Sequence, residues 1–547
     1  FKSYYENQKL SILKIVKSFL AGKKYFILES PPGSGKSVIA TTAARVIASL
    51  ENFGKSYGPN TIVLTKTKSL QKQYLDYPPH CPHITSAANY PCNLLPYDSE
   101  TYYNNGECIK AICPVLDKCN YRVEKAKFVN SDIGVLNYAY FMTTKEFRPD
   151  IIIYDEAHNL ESIVCEFNTL KLGYDEIEKI IVHLSRANID VDMDVESLES
   201  QLQELIERLE DEEYNISRKL ATNLYLELAT ILANVNTTVF NLESEIIKNQ
   251  NSEVVANYKE AYKKSKRVAT FIAGHVSRLK MFAVSTSEWV NINSRDDDFV
   301  HIKPLYATEF SSKLFDRTDF NILMSGTICG LSEFQIALNI SPDESDYLYL
   351  ESTYEASNRP FINLNLPGLN NSNKSSVLPI YVSAIDGIIE QIHESVGSVR
   401  GIIHSVSYDN AEYIRSMSKY ASIMYVPERG SNLDIKKIME SKSNTILVSP
   451  SIIEGMDLKD DLSRFQIFLK VPFAYLGDPW IKCRMELNRN WYSREAVVKI
   501  IQGYGRSIRS KDDYAFTFML DNNFVNLMDR NVELFPKWFK EAVKNYE

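Results

Sequence analysis

The sequence predicts an α/β protein with two parallel-sheet units, a small cysteine-rich insert and an all-helical insert in the first unit. Three observations carry this expectation. Short apolar runs that end in polar residues occur in two sets. The first is "TIVLTKT" (61–67), "IGVLN" (133–137), "DIIIYDEAH" (150–158) and "FNILMSGT" (320–327), and the second is "RGIIHSVS" (400–407), "NTILVSPS" (444–451), "FQIFLKVPF" (465–473) and "YAFTFMLDN" (514–522). Strands buried on both faces read this way, with their chemistry at the C-terminal ends. Residues 24–50 run strand, glycine loop, helix as "KYFILES", "PPGSGKS" and "VIATTAARVIASL". From Tyr174 to Ala273 there is no glycine or proline, and stretches such as "ESLESQLQELIERLEDEEY" place apolar residues near every third or fourth position. That pattern is helical; its heptads do not persist far enough for a coiled coil.

The chain has 547 residues, more than one hydrophobic core usually organises, and is 44% hydrophobic and 24% charged. No apolar run reaches membrane-spanning length and no signal peptide is expected, although Phe1 in place of Met implies that a few residues precede it. Eight cysteines are too sparse for a disulfide scaffold. The expected compartment is a reducing cytoplasm, where clustered cysteines bind metal or do chemistry. A net charge of −9 argues mildly against nucleic acid, but binding electrostatics are local.

"SPPGSGKS" (30–37) fits the phosphate-binding loop at all but its first position, Ser30, and has the required strand before it and helix after it. Gly33, Ser34 and Gly35 would turn backbone N–H groups around phosphates at a helix N-terminus. Lys36 would reach the β- and γ-phosphates of ATP, and the Ser37 hydroxyl would ligate Mg²⁺. In "IIIYDEAH", Asp155 ends an apolar strand and suits the second Mg²⁺ contact, while Glu156 suits the attacking water. In "IIQGYGRSIRS", Gln502, Arg506 and Arg509 stand at i, i+4 and i+7, which predicts one helix face. Two arginines there suit a phosphate, and a salt-bridged surface face is the plainer alternative.

Cys92, Cys108, Cys113 and Cys119 follow the spacing C-x₁₅-C-x₄-C-x₅-C. Four thiolates accept Zn²⁺ or a [4Fe–4S] cluster, and the spacing leaves both open. Tyr90, Tyr97, Tyr102, Tyr103 and Tyr121 surround them. These tyrosines can stack on bases, but packing a small metal domain is the simpler role. Cys81, Cys165, Cys329 and Cys483 are scattered. The basic runs "KKSKR" (263–267) and "SRLK" (277–280) are either DNA-tracking or a solvated face.

In order along nearly the whole chain these motifs resemble a superfamily 2 helicase of the DEAH type, with two RecA-like domains. The cysteine insert before the DEAH box and the helical "arch" after it bring the resemblance closer, to the iron–sulfur helicases of the XPD/DinG group. "ANYPC", "TKTKSLQ" and "SDIGVLNY" lean toward DinG. The resemblance implies a [4Fe–4S] cluster on the four cysteines and an adenine-reading Gln8. It implies DNA contacts at Thr65, Lys66 and Thr67, and nucleotide contacts at Glu454, Asp457 and Gln502. "MSGT" (324–327) would couple ATP to DNA. The implied activity is ATP-driven 5′–3′ translocation on single-stranded and forked DNA with duplex unwinding. The rival is a DNA-stimulated ATPase that remodels nucleoprotein without unwinding; an RNA helicase is the third reading. Departures are Ser30, and Tyr138 where the group more often has His. The expected segments are 1–85, 129–172 and 281–340 for the first RecA-like domain, 86–128 for the iron–sulfur domain, 173–280 for the arch and 341–547 for the second domain. A monomer is expected, with protein partners through the arch, no membrane contact, and no exonuclease module before Gln8. The acidic middle of the arch (204–213) is expected not to hold DNA.

Overall fold

The computed structural model describes residues 7–51, 57–75, 81–92, 116–173, 218–249, 254–292, 299–397, 399–428, 435–441, 444–449, 460–507 and 513–545. The first unit opens with α1 (Gln8–Leu20), which buries Ile12, Ile15 and Val16. Then come β1 (Tyr25–Glu29), α2 (Lys36–Leu50), β2 (Thr61–Thr65), α3 (Lys68–Leu75), α4 (Asn120–Val129), β3 (Ile133–Asn137), β4 (Ile151–Asp155) and α5 (Leu160–Phe167). After β5 (Leu170–Gly173), two long helices follow, α6 (Arg218–Lys248) and α7 (Val255–Val284). The unit closes with β6 (Trp289–Asn291), β7 (Phe299–Pro304), β8 (Phe320–Ser325) and β9 (Ser345–Tyr349).

The main sheet has the order β3-β2-β4-β8-β1-β9, and every pair in it is parallel. Strands β1, β2, β4 and β8 are buried along their whole length, as continuous apolar runs require. Register decides where the motifs meet: Glu29 pairs with Ser325 and Asp155 with Met324. The glycine loop, the DEAH segment and the S-G-T segment therefore leave the same sheet edge. Strand β9 lies past the expected boundary at residue 340 and extends this first sheet beside β1.

Helices α6 and α7 form an antiparallel hairpin. Arg218, at the start of α6, donates to the carbonyl of Phe282 at the far end of α7 and to that of Ser287 just past it, each at 2.8 Å. Leu224, Leu228, Ile231, Val235 and Val239 repeat every three or four residues and are buried, as are Val268, Ile272 and Leu279 opposite. At the hairpin's foot, β5, β7 and β6 make a small antiparallel sheet.

The second unit holds β10 (Phe361–Leu366), β11 (Arg400–His404), β12 (Met424–Tyr425), β13 (Thr445–Ser449), β14 (Phe465–Phe468), β15 (Phe516–Asp521) and β16 (Val543–Asn545). Its order is β12-β13-β11-β14-β15-β10-β16, again all parallel. Between β14 and β15 lie α8 (Pro479–Leu487) and α9 (Arg489–Tyr504). These two helices dock on the first unit, because Trp480 and Trp491 enter its hydrophobic core. Arg484, buried against both tryptophans, pairs with Glu161 of α5 at 2.6 Å, and Arg494 reaches the other oxygen of that carboxylate at 3.4 Å. Among the scattered cysteines, Cys81, Cys165 and Cys329 are buried and Cys483 is half-buried.

Candidate functional site at the interunit cleft

The glycine loop turns on residues 33 and 35. Gly33 has φ 78° and Gly35 φ 80°, values that favour a residue without Cβ. Gly35 is the N-cap of α2, so the helix N-terminus faces the loop. Lys36 Nζ donates to the Ser30 carbonyl at 3.1 Å, and Ser30 Oγ donates to Ser34 Oγ at 2.6 Å. Ser30 is fully buried, so a hydroxyl at the unusual first position ties the loop to itself. Gln8 is buried at the head of α1 and donates to the Ser34 carbonyl at 3.2 Å.

Asp155 ends β4 beside this loop. Its Oδ1 accepts the Glu156 N–H at 3.0 Å, and its Oδ2 accepts the Tyr74 hydroxyl at 2.9 Å. The same Tyr74 hydroxyl lies 3.2 Å from Ser37 Oγ. Tyr138 donates to the Asp155 carbonyl at 3.0 Å, so the residue that departs from the family's usual His anchors the strand end instead. Burial, then the Glu156 charge next to it, pushes the Asp155 carboxyl up to about 7. Glu156 itself sits in the left-handed region at φ 53°, a strained conformation for a side-chain-bearing residue.

A chain of hydrogen bonds runs from the cleft to the second unit. Lys66 Nζ donates to Asn159 Oδ1 at 3.2 Å, and Asn159 Nδ2 donates to His158 Nε2 at 3.0 Å. His158 Nδ1 then donates to Ser325 Oγ at 2.8 Å, and the Ser325 hydroxyl donates to the Thr327 carbonyl at 2.9 Å. The partners on its two nitrogens assign His158 the tautomer with hydrogen on Nδ1. Gln502 closes the chain from the second unit, donating from Nε2 to Thr327 Oγ1 at 3.2 Å. Close by, a Cβ on Gly505 would lie 2.2 Å from Pro32 Cγ, so the second unit touches the glycine loop where only glycine fits.

The expectation of one helix face for Gln502, Arg506 and Arg509 is corrected. Helix α9 ends at Tyr504, and Arg506 N bonds the Gly503 carbonyl in a tight turn past the helix end. Gly505 is the C-cap of the helix, and the turn sets it against Pro32. Arg506 is buried next to that contact. Arg509, Glu454 and Asp457 lie outside the described residues.

Between the units opens a cleft of 480 Å³, lined by Lys66, Lys303, Lys470, Lys499, Trp480 and Phe473 among others. Of the three predicted DNA contacts, Lys66 is exposed in it, whereas Thr65 is fully buried with its hydroxyl on the Thr67 carbonyl at 3.3 Å. Thr67 Oγ1 accepts the Leu70 N–H at 3.2 Å and so caps α3. Val406 also lines the cleft at φ 70°, a conformation that a β-branched residue rarely adopts.

Two of the four clustered cysteines are described, Cys92 and Cys119, both half-buried thiols. Their chain neighbours meet. Asn120 Nδ2 donates to the Pro91 carbonyl at 2.8 Å, and the Tyr90 and Tyr121 rings pack edge to face at 5.6 Å. The Tyr90 hydroxyl accepts the Thr85 N–H and that of Tyr121 bonds the Tyr140 hydroxyl, so these two tyrosines serve packing. Cys108, Cys113, Tyr97, Tyr102 and Tyr103 lie outside the described residues. No group of three or more metal-ligating side chains occurs among the described ones.

Sequence reasoning did not single out Tyr74, Asn159 or Glu161. Tyr74 lies seven positions beyond the "TKT" run and carries no motif signature. Only the turn of α3 back toward the sheet brings its hydroxyl to Ser37 and Asp155.

Comparison with known proteins points to helicases. The helicase C-terminal domain family matches residues 400–542, and the type III restriction enzyme res subunit family matches residues 2–193. The ATP-dependent DNA helicase YoaA of Escherichia coli (strain K12) is 22% identical over 457 residues, covering 77% of this chain and 69% of that protein. The ATP-dependent DNA helicase DinG of Photobacterium profundum is 24% identical over 267 residues, 44% of this chain and 37% of that protein. In structure the chain superposes on an XPD helicase with a TM-score of 0.58 and 17% identity, covering 100% of both chains, which establishes a shared fold. Two helicase-type family models matched in order along the chain, together with ATP-dependent DNA helicases at 22–24% identity, support an XPD/DinG-like superfamily 2 helicase.

Proposed function

We propose that this helicase translocates 5′ to 3′ on single-stranded DNA and separates forked duplex, with a [4Fe–4S] cluster stapling the insert between Cys92 and Cys119. The observation that carries the motor reading is the contact of Gln502 with Thr327 and of Gly505 with Pro32, since it sets the second unit against both the S-G-T segment and the glycine loop of the first. A nucleotide held there would feel the second unit, and its hydrolysis would change the cleft. In this reading Gly33, Ser34, Gly35 and Lys36 hold the phosphates, Ser37 and Asp155 take Mg²⁺, and Glu156 orients water. Gln8 reads adenine. Gln502, Glu454, Asp457, Arg506 and Arg509 act from the second unit, the arginines on the developing charge. Lys66 takes a DNA phosphate, and Thr65 with Thr67 shapes its loop.

Support for the cluster comes from the two described cysteines of the four. The Asn120–Pro91 bond draws together the chain next to Cys92 and Cys119, and thiolates at those positions suit iron. Once bound, the cluster would hold a small insert that has little core of its own. We place the insert at 86–128, the arch at 173–280, and a cytoplasmic monomer around them. The arch is a surface for protein partners.

Strand displacement on 5′-tailed and 3′-tailed duplexes tests polarity: release from the 5′-tailed substrate alone is expected. ATP hydrolysis with no displacement from either would replace unwinding by nucleoprotein remodelling. Preference for RNA over DNA as the ATPase activator would favour an RNA helicase.

A further inference from the structure

Tyr74 lies on the last turn of α3, and only 2% of it is exposed. Its hydroxyl meets the two side chains assigned to the metal, Asp155 Oδ2 at 2.9 Å and Ser37 Oγ at 3.2 Å. The other Asp155 oxygen is held by the Glu156 N–H. The carboxylate is therefore fixed by a donor at each end, and the Ser37 hydroxyl is tied to the same phenol. Each oxygen keeps a further lone pair for a metal or its water.

The other end of α3 starts at the cleft. Thr67 Oγ1 caps the Leu70 N–H, the Thr67 carbonyl accepts the Gln71 N–H at 3.2 Å, and the Thr65 hydroxyl bonds that carbonyl as well. One two-turn helix, about 10 Å from end to end by its rise, joins the Thr65–Thr67 loop to the metal side chains. Lys66, between those threonines, faces the cleft. A short helix hydrogen-bonded at both ends moves as one piece.

We propose that Tyr74 is a positioning residue for the catalytic metal. Through its hydroxyl it holds Asp155 and Ser37 ready for Mg²⁺, and through α3 it carries movement of the DNA-facing loop to them. The inference rests on the nucleotide and metal roles proposed above. A tyrosine serving packing alone would be replaceable by phenylalanine, and this geometry makes the hydroxyl the working part.

The test is Tyr74→Phe in the full chain, which keeps the buried ring. ATP hydrolysis is measured against Mg²⁺ concentration at saturating ATP, with and without a single-stranded oligonucleotide. Nucleotide-free oligonucleotide affinity is followed by anisotropy as a control on the fold. The half-saturating Mg²⁺ is expected to rise about tenfold, the scale of a lost hydrogen bond to a charged group, with oligonucleotide affinity unchanged. The stimulation of turnover by the oligonucleotide at saturating Mg²⁺ is expected to fall. An unchanged Mg²⁺ dependence, or a turnover lowered equally at every Mg²⁺ concentration, overturns the positioning role. Full stimulation in the variant overturns the link through α3. A wild-type chain with no Mg²⁺-dependent ATP hydrolysis would instead defeat the functional reading beneath it, so the two failures are told apart.

Discussion

Gln502 of the second unit donates to the Thr327 hydroxyl of the first at 3.2 Å, and the same nitrogen lies 3.3 Å from where a Cβ on Gly326 would sit. Thr327 is also where the hydrogen-bond chain from Lys66 through His158 arrives. One side chain thus links the second unit to the segment that faces both the nucleotide loop and the cleft. Gln502→Ala is expected to lower DNA-stimulated ATP hydrolysis about 2- to 10-fold, the scale of one neutral hydrogen bond. Steady-state rates with and without oligonucleotide check this; equal stimulation in variant and wild type would count against the link.

Lys36 heads α2 with its ammonium on the Ser30 carbonyl, poised within the loop. Lys36→Ala is expected to cut ATP turnover by about 100-fold or more, because it removes a fixed positive charge where negative charge develops. Circular dichroism and iron content should not change. Turnover near wild type would remove the loop from the catalytic site.

Asp155 carries a pH prediction. Its carboxyl is pushed up to about 7 by burial and by Glu156, above its unfolded value near 4. A raised folded value means that the folded state is favoured at low pH, and that this advantage is lost as pH climbs through the folded value. In the absence of nucleotide and metal, Asp155→Asn should therefore stabilise the protein at pH 8, by about 1–3 kcal/mol. The difference should shrink toward zero near pH 4. Thermal unfolding across that range decides it; a variant less stable than wild type at pH 8 contradicts the burial argument.

Glu161 bonds two buried arginines, Arg484 and Arg494, across the seam between α5 and the α8–α9 pair. Taking away one partner of a buried pair leaves uncompensated charge. Glu161→Ala is expected to cost about 3–5 kcal/mol, read as a lower denaturation midpoint. A loss below about 1 kcal/mol would mean that water reaches the arginines.

Removal of a cluster ligand has a visible outcome. Cys119 is the N-cap residue of α4, next to the Asn120 that bonds Pro91. Wild-type protein is expected to be brown with about four irons per chain, and Cys119→Ser to lose most of them. A colourless wild type with one zinc would replace the cluster with a zinc site.

Much of the fold is legible along the chain because its strands are continuous apolar runs that end in motif residues. "DIIIYDEAH" announces both a buried strand and the acidic pair at its end. Strands β5, β6, β9 and β16 are not legible in this way. Strands β5, β6 and β16 are three or four residues long, β9 mixes buried with exposed positions, and β16, "VKN", is mostly exposed and carries no apolar repeat. The arginine segment misleads in another way: spacing implies a helix face, but the helix ends at Tyr504, with Gly505 as its C-cap, before Arg506 is reached.

The sequence by itself determined the chemical inventory: a phosphate loop, an acidic strand end, four clustered cysteines and a breaker-free helical insert. Each depends on backbone preferences within a few residues, so each is written locally. Tertiary structure decided which of them meet. Tyr74 reaches Ser37 across 37 positions and Asp155 across 81, and Gln502 reaches Thr327 across 175. Such contacts follow from strand register and from the burial of α8 and α9 against the first unit. Register and burial are collective properties of packing, and no local stretch of the chain encodes them.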